Sequence, residues 1–357
     1  SMAAWKRHGG LEPHRDRLLT GMAARGHSRE YGERLFEQIK GFGSYGFPES
    51  HAASFALITY VSCWLKCHHP SAFAASLINS QPLGFYTPDQ ILQDARRHGV
   101  PVLPVDVRHS DWDCSLDFSK GAAAIRLGLR LIDGCNEPVV QAIMRERAQR
   151  PFDDVGDLCQ RTGLDRRQQG LLADAGALRG LSGHRHRARW DISGVENRLP
   201  LFDQARATAE ARVPLPLPSA WEDMQADYRS TGTTLGRHPM SFLRAQLRTR
   251  GCLDAAQLAN HGHGRRVRIA GLVRMRQRPQ TASGVTFLTL EDETGMVNAV
   301  VWRHLADRQH HILVDTQLMQ IDGRLERVDG VQHVIVQRMH CLDQLLQGLR
   351  SHSRDFH

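Results

Sequence analysis

The chain has 357 residues, 46 Lys+Arg against 38 Asp+Glu, and a formal net charge of +8. At roughly 150 residues per domain, two or three domains are expected, and 41% apolar residues exclude wholesale disorder. The longest nearly apolar run, Ala52 to Leu65, is short of the ~20 residues a membrane helix needs and reads as a buried helix. Ser1-Met2 reads as a remnant of tag removal, and no apolar leader follows it. Seven cysteines without a paired framework fit a reducing, cytoplasmic setting. Only four lysines occur, so nearly all positive charge is arginine. Arginine forks suit phosphate; a GC-rich genome would leave the same bias.

In chain order, Leu18, Leu19 and Met22, then Leu35, Phe36 and Ile39, recur at helical spacing. Gly41 to Pro48 predicts a helix break. Glu49-Ser50-His51 then enters a long apolar helix that Pro70 stops. Further helices are expected near Phe73–Asn79 and Pro88–Arg97, then a β-like Val102–Val105. Residues 113–190 hold two turn-helix units. In the first, Leu131 to Asn136 leads into Glu137–Arg147; in the second, Thr162-Gly163-Leu164 leads into Asp165–Ala175, with capping-box spacing from Asp165 to Gln168. Residues 191–219 read as a linker, since Val213 to Pro218 is a proline ladder that must be extended. Residues 220–264 read as a connector with short helices. From 265 to 345 the period changes to two, with strands at Arg266–Val273, Val285–Leu290, Val297–Trp302, Leu318–Leu325 and His333–Arg338, and a helix at Arg303–His311. That order is the order of an OB-fold barrel. Residues 346–357 read as a polar tail.

The barrel carries the plainest electrostatic signal. Arg266, Arg268, Arg274, Arg276 and Arg278 fall where no acid occurs, and Phe287 and Trp302 are candidate stacking platforms for a single strand. The same arginines could simply keep a small barrel soluble, with Phe287 in its core. A tight turn feeding a helix presents free N–H groups to phosphate, which nominates Gly134, Asn136, Gly163, Arg166 and Arg167. Asp133 and Asp165 would compete with phosphate there, so either hairpin could be purely structural. Cys63 and Cys67 with His68 and His69 have no second ligand pair and read as small cysteines of a buried helix, so no metal site is assigned. Asp111-Trp112-Asp113 and Glu291-Asp292-Glu293 read as surface acids. Leu199, Leu201 and Phe202 are large apolar residues in a linker, which suits docking into a partner's pocket or packing against the chain itself.

Gly41-Phe42-Gly43-Ser44-Tyr45-Gly46-Phe47-Pro48-Glu49-Ser50-His51, Trp64 to Pro70, and Asn79 to Tyr86 resemble bacterial C-family DNA polymerases, nearest the error-prone, ImuC-type branch. The resemblance covers essentially the whole chain. It implies a multidomain α+β protein: residues 3–112 as the end of the helical fingers domain, 113–190 as a tandem helix-hairpin-helix domain, and 265–345 as an OB-fold β-barrel. It implies translesion DNA synthesis, DNA repair and SOS mutagenesis for the parent. The PHP domain and the palm, with its Mg2+-binding aspartates, would precede this chain, so no catalytic residue is expected within it. Ser50 and His51, with Lys66, resemble contacts to the incoming nucleotide. Arg198 to Phe202 resembles the family's sliding-clamp motif, with Arg198 where glutamine is usual, and an ImuB-type accessory protein would then be the main recruiter. Three alternatives stand: a free-standing hairpin and barrel repair scaffold, a piece of a replicative alpha subunit, and an NAD-dependent ligase piece, which lacks its Lys-x-Asp-Gly motif here.

Overall fold

A computed structural model describes residues 14–45, 49–82, 86–119, 121–195, 213–279, 284–328, 330–346 and 354–356. The chain divides into a first unit, Ser1–Phe73, and a second, Ala74–His357. In the first, helices α1 (Arg15–Ala23) and α2 (Arg29–Tyr45) lie together, with Phe36 buried and Arg15 Nη2 3.1 Å from Glu33 Oε1. Helix α2 runs through Gly41 and Gly43 to Tyr45, where a break was expected. Glycine in a helix costs only about 1 kcal/mol against alanine, and the flanking residues override it. Helix α3 (Glu49–His68) forms as predicted but is not buried: Phe55, Leu57, Ile58, Tyr60, Val61, Trp64 and Leu65 are all exposed, as are Cys63 and Cys67. A helix that is apolar all round signals burial, yet among the described residues this one keeps its apolar side chains exposed.

Helix α4 (Pro70–Asn79) opens on Pro70, where a missing N–H is no loss. Helix α5 (Pro88–Arg97) has the predicted bounds, because Thr87 and Gln90 form a capping box around Pro88. A small sheet follows, with β1 (Val102–Leu103) parallel to β3 (Ala124–Arg126) and β2 (Ser115–Asp117) antiparallel to it. Then come α6 (Glu137–Gln149), α7 (Val155–Thr162), α8 (Arg166–Asp174), α9 (Arg179–Ser182) and α10 (Arg185–Ser193). One core joins Ile78 and Leu92 to Ile125, Ile143, Leu158, Leu172 and Ile192. Each such buried side chain contributes about 1.5–3 kcal/mol. The boundary read at Trp112 therefore falls inside a core. The Asn79 amide bridges it, donating to the Cys114 carbonyl and accepting from its N–H, both at 2.8 Å.

The proline ladder is extended, and α10 holds it: His186 Nδ1 lies 2.8 Å from the Pro216 carbonyl, and Arg187 donates to that of Val213. Helices α11 (Ala220–Thr231), α12 (Pro239–Thr249) and α13 (Ala255–Ala259) follow. The region read as a connector is not free. Met224, Met240 and Leu247 share a small core with Ala270, Leu272, Leu318 and Leu342 of the barrel.

The barrel has five strands, β4 (Arg266–Gln277), β5 (Thr286–Glu291), β6 (Met296–Val301), β7 (Leu318–Val328) and β8 (Val331–Cys341), with α14 (Arg303–Arg308) and α15 (His310–Asp315) between β6 and β7. Their order, β5-β6-β8-β7-β4 with β4 returning to β5, closes the sheet. Closure works because β4 changes partner midway: Arg266 to Leu272 pair with β7, and Leu272 to Gln277 with β5. Gly271 stands at that switch, and a Cβ there would come 2.9 Å from the Glu291 carbonyl oxygen. The segment read as a tail contributes β9 (Arg354–Phe356), parallel to the end of β4, and Leu346 is buried.

A polar junction ties the hairpin region to the barrel. Arg274, 5% exposed, donates from Nη2 to Asp89 Oδ2 at 3.1 Å and from Nε to Glu291. Thr233 donates to Asp89 at 2.8 Å, Arg97 lies 3.5 Å from Glu291, and Arg96 donates to the Thr234 and Leu235 carbonyls. Arg185 forks onto Asp223 and Asp227 of α11. Buried ions persist where they are paired and hydrogen-bonded.

Candidate nucleic-acid interface

The first hairpin turn runs from a 3-10 turn (Leu129–Leu131) into α6. Gly134 takes φ +75°, the left-handed conformation a turn needs and glycine supplies cheaply. Asn136 is not left-handed, as its place in a Gly-x-Gly-like pattern would suggest. It is extended, with φ −122°, and its side chain accepts the Val139 N–H at 3.2 Å as an N-cap. Pro138 has no N–H to offer, and the Asp133 N–H donates to the Ser230 carbonyl at 2.7 Å. Few donors are left for an anion.

The second hairpin is α7, Gly163 at φ +64°, and α8. Asp165 caps α8, taking the Gln168 N–H at 2.7 Å, and the Gln168 side chain returns to the Asp165 N–H. Arg166 is exposed and donates to the Ile192 and Val195 carbonyls, so its guanidinium braces the end of α10. Arg167 is exposed, and its Nη2 lies 3.3 Å from where a Cβ on Gly134 would sit. The two turns are thus side by side, with Gly134, Asn136, Gly163 and Arg167 exposed together.

On the barrel the arginines divide. Arg274 and Arg276 are buried, contrary to the single-strand role read for them: Arg276 donates from Nε to the Leu313 carbonyl at 2.6 Å and from Nη2 to that of Thr316, sealing the helix that plugs the barrel. Arg274 is covered from outside the barrel by α5 through Asp89, and the register shift between Val273 and Met275 sets Arg276 opposite the core residue Leu288. Arg266, Arg268 and Arg278 are exposed; Arg268 Nε lies 2.5 Å from Asp322 Oδ1 and Arg278 is 4.0 Å from Asp307. Arg268 and Arg278 stand near opposite ends of β4, on the order of 30 Å apart at ~3.3 Å per residue, so they do not form one patch. Phe287 is 40% exposed, not core, and Trp302 is exposed. Phe287 pairs with Gln277 and Val300 across the ladder, an outward stacking surface of the kind single strands use.

Ser50 and His51 lie in the first turn of α3, and Lys66 is exposed near its end; the side chains of Ser50 and His51 fall outside the described residues. So do Leu199, Leu201 and Phe202. Of the two acidic motifs, Glu291-Asp292-Glu293 is not a set of surface acids: Glu291 and Asp292 are buried, and Arg244 holds Asp292 at 3.2 Å and Glu293 at 2.5 Å, whereas Asp111 and Asp113 do lie at the surface. Asp111 pairs with Arg147 at 2.5 Å and Asp113 with Arg130 at 2.6 Å. Among the described residues no cluster of three His, Cys, Asp or Glu could hold a metal ion, so these side chains do not fit a two-magnesium site. No described helix is long and apolar enough to cross a membrane.

Comparison with known proteins agrees with this division. Residues 99–188 match a family model described as a helix-hairpin-helix motif, and residues 267–342 one described as an OB-fold nucleic acid binding domain. Across its whole length the chain is 61% identical to the error-prone DNA polymerase of Pseudomonas fluorescens (strain Pf0-1), 60% to that of Pseudomonas aeruginosa and 54% to that of Alkalilimnicola ehrlichii. It spans 35% of the length of each of these relatives.

Proposed function

We propose that this chain, kin to error-prone DNA polymerases from end to end, is the part of such an enzyme that grips DNA, while the part that joins nucleotides lies elsewhere in the polypeptide. The observation that carries the reading is that identity with those polymerases coincides with two nucleic-acid-binding folds, one of which exposes Phe287 and Trp302. The hairpin region would follow the duplex backbone without reading sequence, as Gly134 and Arg167 side by side suit. The barrel would hold the unpaired template. The whole polymerase would copy damaged templates in the cytoplasm with Mg2+ held by aspartates outside this stretch, and the chain alone would be inactive. Ser50, His51 and Lys66 would face the incoming nucleotide. The exposed apolar surface of α3 supports a missing neighbour, which the remaining length of the relatives would supply.

Two protein partners belong to this reading. The sliding clamp would take Leu199, Leu201 and Phe202, and an ImuB-type accessory protein would recruit the enzyme where that contact is weak. A direct test compares a labelled single strand with a primed template across a salt series. Binding should weaken steeply with salt because counterions are released. Primer extension by this chain alone with Mg2+ and nucleotides would overturn the division of labour, and failure to bind either substrate would overturn the grip.

A further inference from the structure

The outer face of the barrel along β4, β7 and β8 carries a groove of about 440 Å³, a size ordinary for a small-ligand site. Ladder register stacks its polar residues in two rows, with Arg268, Asp322 and Arg338 in one and Gln320 beside His340 in the next. Arg250, just past α12, lines the rim, and its carbonyl accepts from Arg268 Nη1 at 2.7 Å. Asp322 is the one carboxylate on the lining, and it is already taken, by Arg268 Nε at 2.5 Å and by His340 Nε2 at 3.3 Å. Arg250 and Arg338 are different. Among the described residues neither guanidinium has a hydrogen bond or an ion pair. Gln320 lines the groove at only 7% exposure, and its side-chain amide also has no partner among the described residues. Its amide atoms are not among the buried unpartnered ones, so the amide opens to the groove.

We infer that this groove binds a phosphate group, with Arg338 and Arg250 supplying charge and Gln320 a neutral donor at the floor. The phosphate is carried either by a nucleic-acid strand leaving the barrel or by a free nucleotide. The strand source rests on the function proposed above; the nucleotide source does not. Phe287 and Trp302 line no part of the groove, so a strand held there would touch the barrel at a second place.

The exposed Cys341 thiol lines the groove and gives a local readout. The experiment measures iodoacetamide labelling of each cysteine by peptide mass spectrometry, with oligothymidylate, dTTP or inorganic pyrophosphate added. Labelling of Cys341 should slow about threefold when the ligand stands at twice its dissociation constant, and Arg338→Gln should abolish that protection. Protection by oligothymidylate alone assigns the strand; protection by dTTP or pyrophosphate assigns a free nucleotide. In the first case Arg338→Gln should also lower the salt slope of strand binding by about 0.7. If no probe slows Cys341, or if protection survives Arg338→Gln combined with Arg250→Gln, the proposal is wrong. A chain that fails to bind oligothymidylate yet shows dTTP protection sinks the grip reading and keeps the groove.

Discussion

Arg274 and Arg268 stand on the same strand and do opposite work. Arg274 points between the barrel and the hairpin region, where Asp89 and Glu291 surround it; those carboxylates hold its guanidinium even more firmly charged than usual, against the cost of burial. Arg268 points outward, shares its charge with one partly exposed Asp322, and keeps nearly half its side-chain surface in water. The contrast teaches that a run of arginines on one strand is two populations. Desolvation decides which population a member joins: an ion with two buried partners fixes structure, and an ion at the surface remains available to a polyanion.

The strongest way to break this contrast is Arg274→Ala. It leaves buried Asp89 without a cation and Glu291 with Arg97 alone, and should cost about 3–5 kcal/mol of stability, read by urea unfolding. A loss below 1 kcal/mol would mean the junction is not structural. Arg268→Ala should cost no more than about 1 kcal/mol, as for other exposed pairs. Next in size, Phe287→Ala should weaken single-strand binding by about 1–3 kcal/mol while leaving the unfolding midpoint in place. Equal affinity before and after would remove the stacking role.

A pH series sharpens the picture of the junction. His238 caps α12 by accepting the Met240 N–H at its Nδ1, and burial holds its pKa below the usual histidine range. The folded state therefore binds fewer protons than the unfolded chain. Stability should be full above the ordinary value of about 6.5 and decline as pH falls from there toward the depressed folded value. His238→Asn keeps a capping acceptor without a titrating ring and should flatten that decline between pH 7 and 5; an unchanged slope would place the sensitivity elsewhere. The smallest effect expected is Arg167→Ala, a few-fold loss on duplex with stability unchanged, measured by anisotropy.

Much of the fold can be read from sequence because its signals are local. Period-two patterning locates all five barrel strands to within a few residues, and Thr87-Pro88 with Gln90 fixes the start of α5. The candidate residues divide along the same line. Gly134, Gly163 and Phe287 are legible from turn chemistry and alternation. The burial of Arg274 is not, because its partner Asp89 lies 185 residues away in sequence. The hydrogen bonds of Arg166 to the Ile192 and Val195 carbonyls likewise lie beyond any local window. The groove residues Gln320, Arg338 and His340 did leave a trace, as polar positions in period two on β7 and β8. Nothing local says that Arg250, just past α12, would close their rim.

The junction through Asp89, Arg274 and Glu291 fastens α5, which shares one core with the hairpin helices, to the barrel. A strand that touches both hairpins and barrel must bridge the same span on every molecule, as between the jaws of a caliper. A nuclease footprint on a primed template should accordingly end at two sharp borders whose separation does not change with base sequence.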